Sequence, residues 1–309
     1  MSNLDAPQLL TAQAPLVVPL TVGLLSACGF AVSNALQHRE AGTVPLDVRR
    51  ATAVLRHLVR RPLWQLAICI SFLAMLCHAL ALRLGSIALV QPLMLVGVVL
   101  AVPLRAGLER QRPPWAAVRA VAVTMFGLAA FLSFADLEVG HGPARTGAAF
   151  GLVLLGVAVA APFALGGSGR LGPRAHAALL GTAAGVLFGL TAGLLKFVGT
   201  TLTQDGTSWT TRGAVLGGLV VAGLLGIAIN QRAYQIAPIA FSMPLVNVVD
   251  IIVALVFGSV VFHEVPGNTA AELTLQAAAL VCVAWGLRGI AGLDADQRRS
   301  GPPDLRNAR

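Results

Sequence analysis

The sequence predicts an all-α polytopic membrane protein, with about nine transmembrane helices arranged as two inverted repeats. The chain of 309 residues is 56% hydrophobic and only 11% charged, with a mean hydropathy of +0.79. That composition excludes an ordinary soluble domain. Two further observations support the prediction: long apolar runs recur along the chain, and two of these runs align with each other.

Nine apolar runs are long enough to cross a hydrocarbon core of ~30 Å as helices. They are continuously apolar and about twice as long as the ~10-residue alternating strands of a transmembrane barrel, which excludes that class. In chain order the predicted spans are Pro15–Gln37, Trp64–Leu82, Ile87–Leu108, Trp115–Phe134, Gly147–Leu165, Ala177–Phe197, Ala214–Tyr234, Pro238–Phe262 and Leu273–Ile290.

The repeat is a helical hairpin that occurs twice. Residues 79–104 align without a gap on residues 231–256, and the shared core reads GSIALVQPLMLV against APIAFSMPLVNV. A short polar break separates two apolar runs in each copy, and each second run carries a proline, Pro92 or Pro244, which we assign to helix breaks. Internal symmetry of this kind is typical of transporters built from duplicated units.

Charge predicts the orientation, because lysine and arginine accumulate in cytoplasmic loops. With nine spans and an outside N-terminus, the cytoplasmic segments hold all but four of the 22 lysine and arginine residues. The four outside are Arg83, Arg145, Lys196 and Arg212. This orientation places the chain in the cell membrane with its C-terminus in the cytoplasm, and it makes the two hairpins inverted copies.

The predicted domain order follows from these spans. Residues 1–14 form an extracytoplasmic segment, 15–135 the first repeat, 146–292 the second repeat and 293–309 a disordered cytoplasmic tail. The loop 39–63 carries an amphipathic helix from Asp47 to Arg61 that we expect to lie on the cytoplasmic leaflet. Its arginines, and the net charge of +9, suit a lipid bilayer rather than nucleic acid, because no aromatic residues are interleaved.

Asp250 is the carboxylate in the middle of a predicted span, where an ionised group is costly without a partner or water. Asn247 and Met243 share its helix face. Pro244 removes a backbone donor where this face begins, so carbonyl oxygens would lie beside the charge. The pattern indicates a cation or proton site, with Asp250 as a candidate metal ligand. The alternative is that Asp250 pairs with Lys196 only for folding.

Small residues recur every four positions along the sixth predicted span, at Gly181, Gly185, Gly189 and Gly193. Glycine at this spacing lets two helix backbones approach closely. Static packing and a sliding seam for alternating access are both open. Lys196 follows on nearly the same face, and two roles are open for it: snorkelling to the interface, or acting as a ligand or coupling group.

Other polar residues of the spans are candidates for the solute path or for contacts between helices. They are Asn34, Gln37, Gln91, Asn230 and Gln231, with His78 at the position that aligns with Asn230. Glu264 and the adjacent His263 follow the eighth predicted span, where solvation at the membrane interface accounts for them.

The segments ALRLGSIALVQPL, NQRAYQIAPIAFSMPLVNVV with the following FHE, and LQHREAG after the first span resemble the drug/metabolite transporter superfamily (EamA-like). Within it they are most similar to the nine-span NIPA-type magnesium transporter branch. The resemblance covers most of residues 15–292 and implies two inverted helical units around a central path. Gln91, Pro92, Gln231, Pro244 and Glu264 match positions of the family pattern.

The sequence therefore predicts a secondary transporter that moves a small solute or cation by alternating access. NIPA-like magnesium transport is the alternative within this class, and a non-transporting membrane scaffold is the alternative outside it. An enzyme is not expected, because the histidines are dispersed and no HExxH, P-loop or GxSxG motif is present. No catalytic residue and no cofactor is predicted, and both monomer and homodimer are open.

Overall fold

The computed structural model describes residues 6–41, 59–108, 114–137, 139–140, 143–165, 171–201, 208–237, 241–265, 267 and 269–299. Apart from one short 3₁₀ turn, the regular structure in these ranges consists of nine α-helices. They are α1 (Ala6–Ala41), α2 (Pro62–Leu84), α3 (Ile87–Leu108), α4 (Trp115–Phe134), α5 (Thr146–Leu165), α6 (Pro173–Thr201), α7 (Trp209–Ile236), α8 (Met243–Phe262) and α9 (Ala270–Arg299).

Eight of these helices are long and apolar enough to cross a membrane. The exception is α3, whose apolar stretch covers Ile87–Leu100. The prediction of an all-helical polytopic membrane protein is therefore confirmed in this form, whereas the inverted arrangement of the repeats stays a prediction.

The predicted C-terminal tail overlaps the last helix of the structure. The last helix continues to Arg299, so the predicted disordered tail from residue 293 is wrong for its first seven residues. Charged residues beyond the membrane can extend a helix into water, because the backbone hydrogen bonds are internal to it. Residues 300–309 and residues 47–58 of the predicted surface helix lie outside the described part of the chain.

The first helices of the two aligned hairpins end at matching positions. Gly85 closes α2 in extended conformation and its N–H donates to the Ala81 carbonyl, 2.8 Å away. Ala237 closes α7 in extended conformation and its N–H donates to the Ala233 carbonyl, 3.3 Å away. Gly85 aligns with Ala237 and Ala81 with Ala233. The first helix of each hairpin therefore ends at the equivalent residue and with the same backbone hydrogen bond.

The assignment of Pro92 and Pro244 to helix breaks is wrong. Pro92 lies within α3, which is assigned as helix on both sides of it. Pro244 lies in the first turn of α8, where backbone N–H groups have no intrahelical acceptor and proline is well tolerated. The breaks are at Gly85–Ser86 and after Ile236, one helical turn or more before each proline.

The chain divides into two compact units, of which the first comprises Met1–Gly85 and Leu89–Pro113. In it α1 packs antiparallel to α2. The Ser26 hydroxyl donates to the Ala74 carbonyl at 2.8 Å, and the Ser33 hydroxyl donates to the Ala67 carbonyl at 2.7 Å. These bonds join the two helices along about two turns.

Within the same unit α3 runs parallel to α1, and the approach is close. A Cβ atom on Gly97 would lie 2.7 Å from the Ala27 carbonyl oxygen, and one on Gly23 would lie 3.3 Å from the Leu93 side chain. Glycine at these two positions leaves room for the Ala27 backbone and for the Leu93 side chain, so the two helices approach closely.

The second unit comprises Ser86–Ala88 and Pro114–Arg309. At its centre is α6, which is mostly buried and packs against α5, α7 and α8. The helix α4 belongs to this unit because it packs along α9, although the predicted first repeat ends only at residue 135. Packing thus groups α4 differently from the sequence repeat.

Candidate functional site

Lys196 and Glu264 form a buried ion pair in the second unit. The ammonium nitrogen of Lys196 donates to the Oε1 atom of Glu264. Only 2% of Lys196 and 4% of Glu264 are exposed. Buried charges are costly unless they are paired and hydrogen-bonded. Each of these two groups therefore depends on the other as its counterion.

Glu264 has two further hydrogen-bond donors, both from the backbone. The Ile87 N–H donates to its Oε2 atom at 2.8 Å, and the Gly140 N–H donates to the same carboxylate. Ile87 is the first residue of α3, so its N–H has no acceptor within the helix. The carboxylate therefore accepts three bonds, from one ammonium group and two backbone N–H groups.

A sharp change of chain direction after α8 brings Glu264 to this position. His263 closes the helix in the left-handed conformation, with φ 60° and ψ 28°, and is the one non-glycine residue of the described chain with positive φ. The Glu264 N–H then donates back to the Gly258 carbonyl at 3.1 Å. This terminus turns the glutamate side chain inward instead of toward the membrane surface.

A cluster of aromatic rings adjoins the ion pair. Phe262 packs against Phe197 and Phe257 with ring centroids 6.2 and 6.1 Å apart, and Phe197 and Phe257 are fully buried. The Lys196 ammonium lies 5.3 Å from the centroid of the Phe262 ring, within the range of a cation–π interaction. Phe262 thus contacts both the ammonium group of the pair and the two buried rings.

Burial raises the pKa of Glu264 above its usual range, because a desolvated carboxylate favours the neutral form. The Lys196 ammonium and the N–H groups of Ile87 and Gly140 oppose that rise. The protonation state of Glu264 is thus set by two opposing effects, and a change at any donor alters the balance. This is the condition under which a carboxylate can exchange a proton during function.

The ion pair corrects two interpretations of the sequence. Lys196 does not snorkel to the interface, because it is buried. Lys196 pairs with Glu264, 68 residues away, a partner that the interpretation of the sequence did not name. Glu264 is not a solvated interfacial residue, since it is almost completely enclosed. The signal available in the sequence was its place in the FHE segment directly after an apolar run.

The glycine series of α6 lies directly against α8, which runs parallel to it. Cβ atoms would lie 2.8 Å from the Ser242 carbonyl oxygen at Gly181, 2.7 Å from that of Val246 at Gly185 and 2.6 Å from that of Asp250 at Gly189. One more turn along the helix, Gly193 faces the Phe257 ring. The close backbone approach predicted for these glycines is observed. Sliding of the two helices along this contact stays a prediction.

Asp250 and Asn247 lie on α8, both half-buried. The Asn247 amide donates to the Met243 carbonyl of its own helix at 2.8 Å. The backbone of Asp250 contacts the glycine series of α6 at Gly189. Lys196 lies seven residues beyond Gly189 on α6, about 10 Å further along the axis.

The other predicted path residues lie on α1, α3 and α7. Gln91 is buried in the first unit, Asn230 is half-buried, and Gln231 is exposed on α7. The side chains of Asn34 and Gln37 lie outside the described residues.

Two aligned residues share one property. The Nδ1 atom of His78 and the Oδ1 atom of Asn230 are each buried without a hydrogen-bond partner among the described residues. A buried polar atom of this kind is uncommon in folded proteins. It marks one position in each unit, and these positions are equivalent in the hairpin alignment.

Across the residues that the structure describes, no group of three or more histidine, cysteine, aspartate or glutamate side chains could hold a metal ion. Asp250 therefore has no such set of ligands around it within this part of the chain. Hard divalent cations bind to six or more oxygen ligands, of which water supplies several.

Comparison with known proteins gives one informative match. The chain is 27% identical over 254 residues to an uncharacterized protein of Corynebacterium glutamicum. The aligned region covers 78% of this chain and 83% of that protein. No family model matches the chain, and no solved structure matches it.

Proposed function

We propose that this protein is a secondary transporter of the drug/metabolite type, which moves a small solute or cation by alternating access. The observation that carries the proposal is the buried pair of Lys196 and Glu264. Ionisable groups within a membrane bundle are costly and commonly belong to ion or proton pathways.

The seam between α6 and α8 supports the same proposal. At Gly181, Gly185 and Gly189 it brings glycine against backbone carbonyls of α8, with the Val249 and Val253 side chains beside the last two glycines. Close packing of this kind is compatible with a small shear motion of the two helices. Lys196 lies on one of these helices, and Glu264 directly follows the other.

In the proposed cycle Glu264 takes up a proton, which neutralises its carboxylate and ends the ionic attraction to Lys196. The Lys196 ammonium then separates from Glu264 as α6 and α8 shift, and release of the proton on the other side restores the pair. Asp250, on the seam itself, is the second carboxylate that could exchange a proton or cation in this cycle. Asn247, Gln91 and Asn230 remain candidate solute contacts.

Membership of the drug/metabolite transporter superfamily is part of the proposal and rests on the segments quoted above. The arginines of the second unit support its proposed orientation. Arg119 and Arg174 lie near the starts of α4 and α6, whereas Arg232 lies near the end of α7 and Arg288 near the end of the apolar part of α9. Since these helices alternate in direction, all four arginines belong to one end of the unit, which we assign to the cytoplasm.

The test is flux into proteoliposomes that contain purified wild type, Glu264→Gln or Asp250→Asn. An internal pH dye reports proton entry driven by candidate metabolites, and an internal magnesium dye reports magnesium entry. We expect metabolite-driven proton entry in the wild type and at least a tenfold loss in Glu264→Gln. Elution as a single detergent-solubilised species shows that each variant is folded.

Glu272→Gln is the matched control, because Glu272 lies outside the ion pair and caps the first turn of α9. Proton-coupled transport by Glu264→Gln at the wild-type rate would refute the role of the pair. Magnesium entry that is lost in Asp250→Asn would instead favour the NIPA-like alternative. Absence of flux for every solute and cation would favour a scaffold.

A further inference from the structure

A groove with two arginines lies between α4 and α9 in the second unit, away from the ion pair. The two helices are antiparallel and close: a Cβ atom on Gly289 would lie 2.9 Å from the Ala120 side chain, and one on Gly286 would clash with Thr124. Small residues at this contact leave a cavity of about 580 Å³ along the outer face. It is lined by Ala116, Arg119, Ala120, Val123, Trp285, Gly286, Arg288, Gly289 and Gly292.

The charge in the groove has one sign. Arg119 and Arg288 are both exposed, and the other lining residues are uncharged. The Arg288 guanidinium lies 5.7 Å from the centroid of the Phe241 ring, and the Arg174 guanidinium lies 5.3 Å from the same centroid. Phe241 therefore holds Arg288 by a cation–π contact on one side of the groove, and Arg174 adds positive charge near it.

The depth of the two arginines matches a phospholipid headgroup. Arg119 lies four residues from the start of α4, and Arg288 lies four residues before Gly292, where the apolar part of α9 ends. At 1.5 Å per residue both are about 6 Å from the ends of their spans. Trp115 and Trp285 are 74% and 70% exposed beside them, as tryptophans of the interfacial belt are.

We infer that this groove binds one anionic phospholipid. The two guanidinium groups contact the phosphate, for which arginine offers paired donors. One acyl chain lies over Gly286, Gly289 and Val123 beside the Trp285 ring. A free phosphate ion would contact the two arginines but not the apolar residues of the groove, whereas a phospholipid contacts both.

The test compares the thermal stability of the purified protein in detergent with added phosphatidylglycerol, phosphatidylcholine or inorganic phosphate. The variant Arg119→Gln/Arg288→Gln removes both guanidinium groups. The matched control, Arg83→Gln/Arg145→Gln, removes two exposed arginines that do not line the groove. Titration of each variant with phosphatidylglycerol gives its apparent affinity.

We expect phosphatidylglycerol to raise the melting temperature more than phosphatidylcholine does, and inorganic phosphate to have no effect. The groove variant should bind phosphatidylglycerol roughly 30-fold more weakly, whereas the control pair keeps the wild-type affinity. An equal effect of inorganic phosphate would overturn the proposal in favour of a free anion site. Equal affinity of groove variant and wild type would overturn it as well.

A second copy of the chain could cover the same face instead. Light scattering of wild type and groove variant distinguishes this case. A wild-type dimer that dissociates in the groove variant, together with no preference for phosphatidylglycerol, would refute the lipid site.

Discussion

Glu264 accepts the ammonium hydrogen bond of Lys196 and, through its other oxygen, the N–H of Ile87 at the start of α3. The lysine comes from α6 and the glutamate from the residue that follows the left-handed terminus of α8. A single carboxylate thus satisfies a buried ammonium group and a helix N-terminus, so its removal affects both.

Removing one charge of the pair should destabilise the protein strongly. We expect Lys196→Met to lower the free energy of unfolding by about 3–5 kcal/mol, because the Glu264 carboxylate is left buried without its counterion. Glu264→Gln should lower it less, since its neutral side chain resembles the protonated carboxyl that burial favours. The double variant should recover much of that loss, since no unpaired charge remains. Thermal unfolding of the four proteins in detergent measures the cycle, and additive losses would contradict a direct pairing.

The stability of the protein should depend on pH through Glu264. Because burial raises the pKa of Glu264 in the folded protein, the folded state keeps this proton at pH values where the unfolded chain has lost it. The protonated Glu264 carboxyl stabilises the folded state. This contribution is complete below the unfolded pKa of about 4.5 and is lost as pH rises through the folded pKa. Melting temperatures of wild type and Glu264→Gln across this interval test it: the variant should lack this part of the pH dependence.

The seam between α6 and α8 should not tolerate a methyl group. In Gly189→Ala the new Cβ would lie 2.6 Å from the Asp250 carbonyl oxygen and 2.7 Å from the Val253 Cβ. We expect a loss of about 1–3 kcal/mol in unfolding free energy from this overpacking. Gly213→Ala on α7 is the matched control, because no atom lies within 4 Å of its Cβ position. It should be neutral or stabilise the helix by up to about 1 kcal/mol; equal effects would contradict the close seam.

The left-handed residue after α8 should be improved by glycine. His263 has φ 60°, a conformation that costs a residue with a Cβ about 1 kcal/mol relative to glycine. Its Nδ1 atom is also buried without a hydrogen-bond partner among the described residues. We therefore expect His263→Gly to raise the unfolding free energy by about 1 kcal/mol, measured by denaturant titration. A loss of stability would show that the imidazole ring contributes packing that outweighs the backbone effect.

The sequence alone determined the membrane class and the positions of the helices. An apolar run of about 20 residues must form a helix in lipid, because each backbone polar group needs an internal partner there. The four-residue spacing of Gly181, Gly185, Gly189 and Gly193 likewise predicted a close helix contact, since periodicity on a helix fixes which residues share a face.

Only the tertiary structure decided which groups meet. Lys196 and Glu264 are 68 residues apart, and their positions at the ends of apolar runs suggested the membrane interface for both. Their burial depends on the packing of α6 against α8 and on the left-handed turn at His263. Neither leaves a periodic signal, because both arise from contacts between segments that are distant in sequence. The packing of α4 against α9, and the arginine groove between them, could not be predicted from the sequence for the same reason.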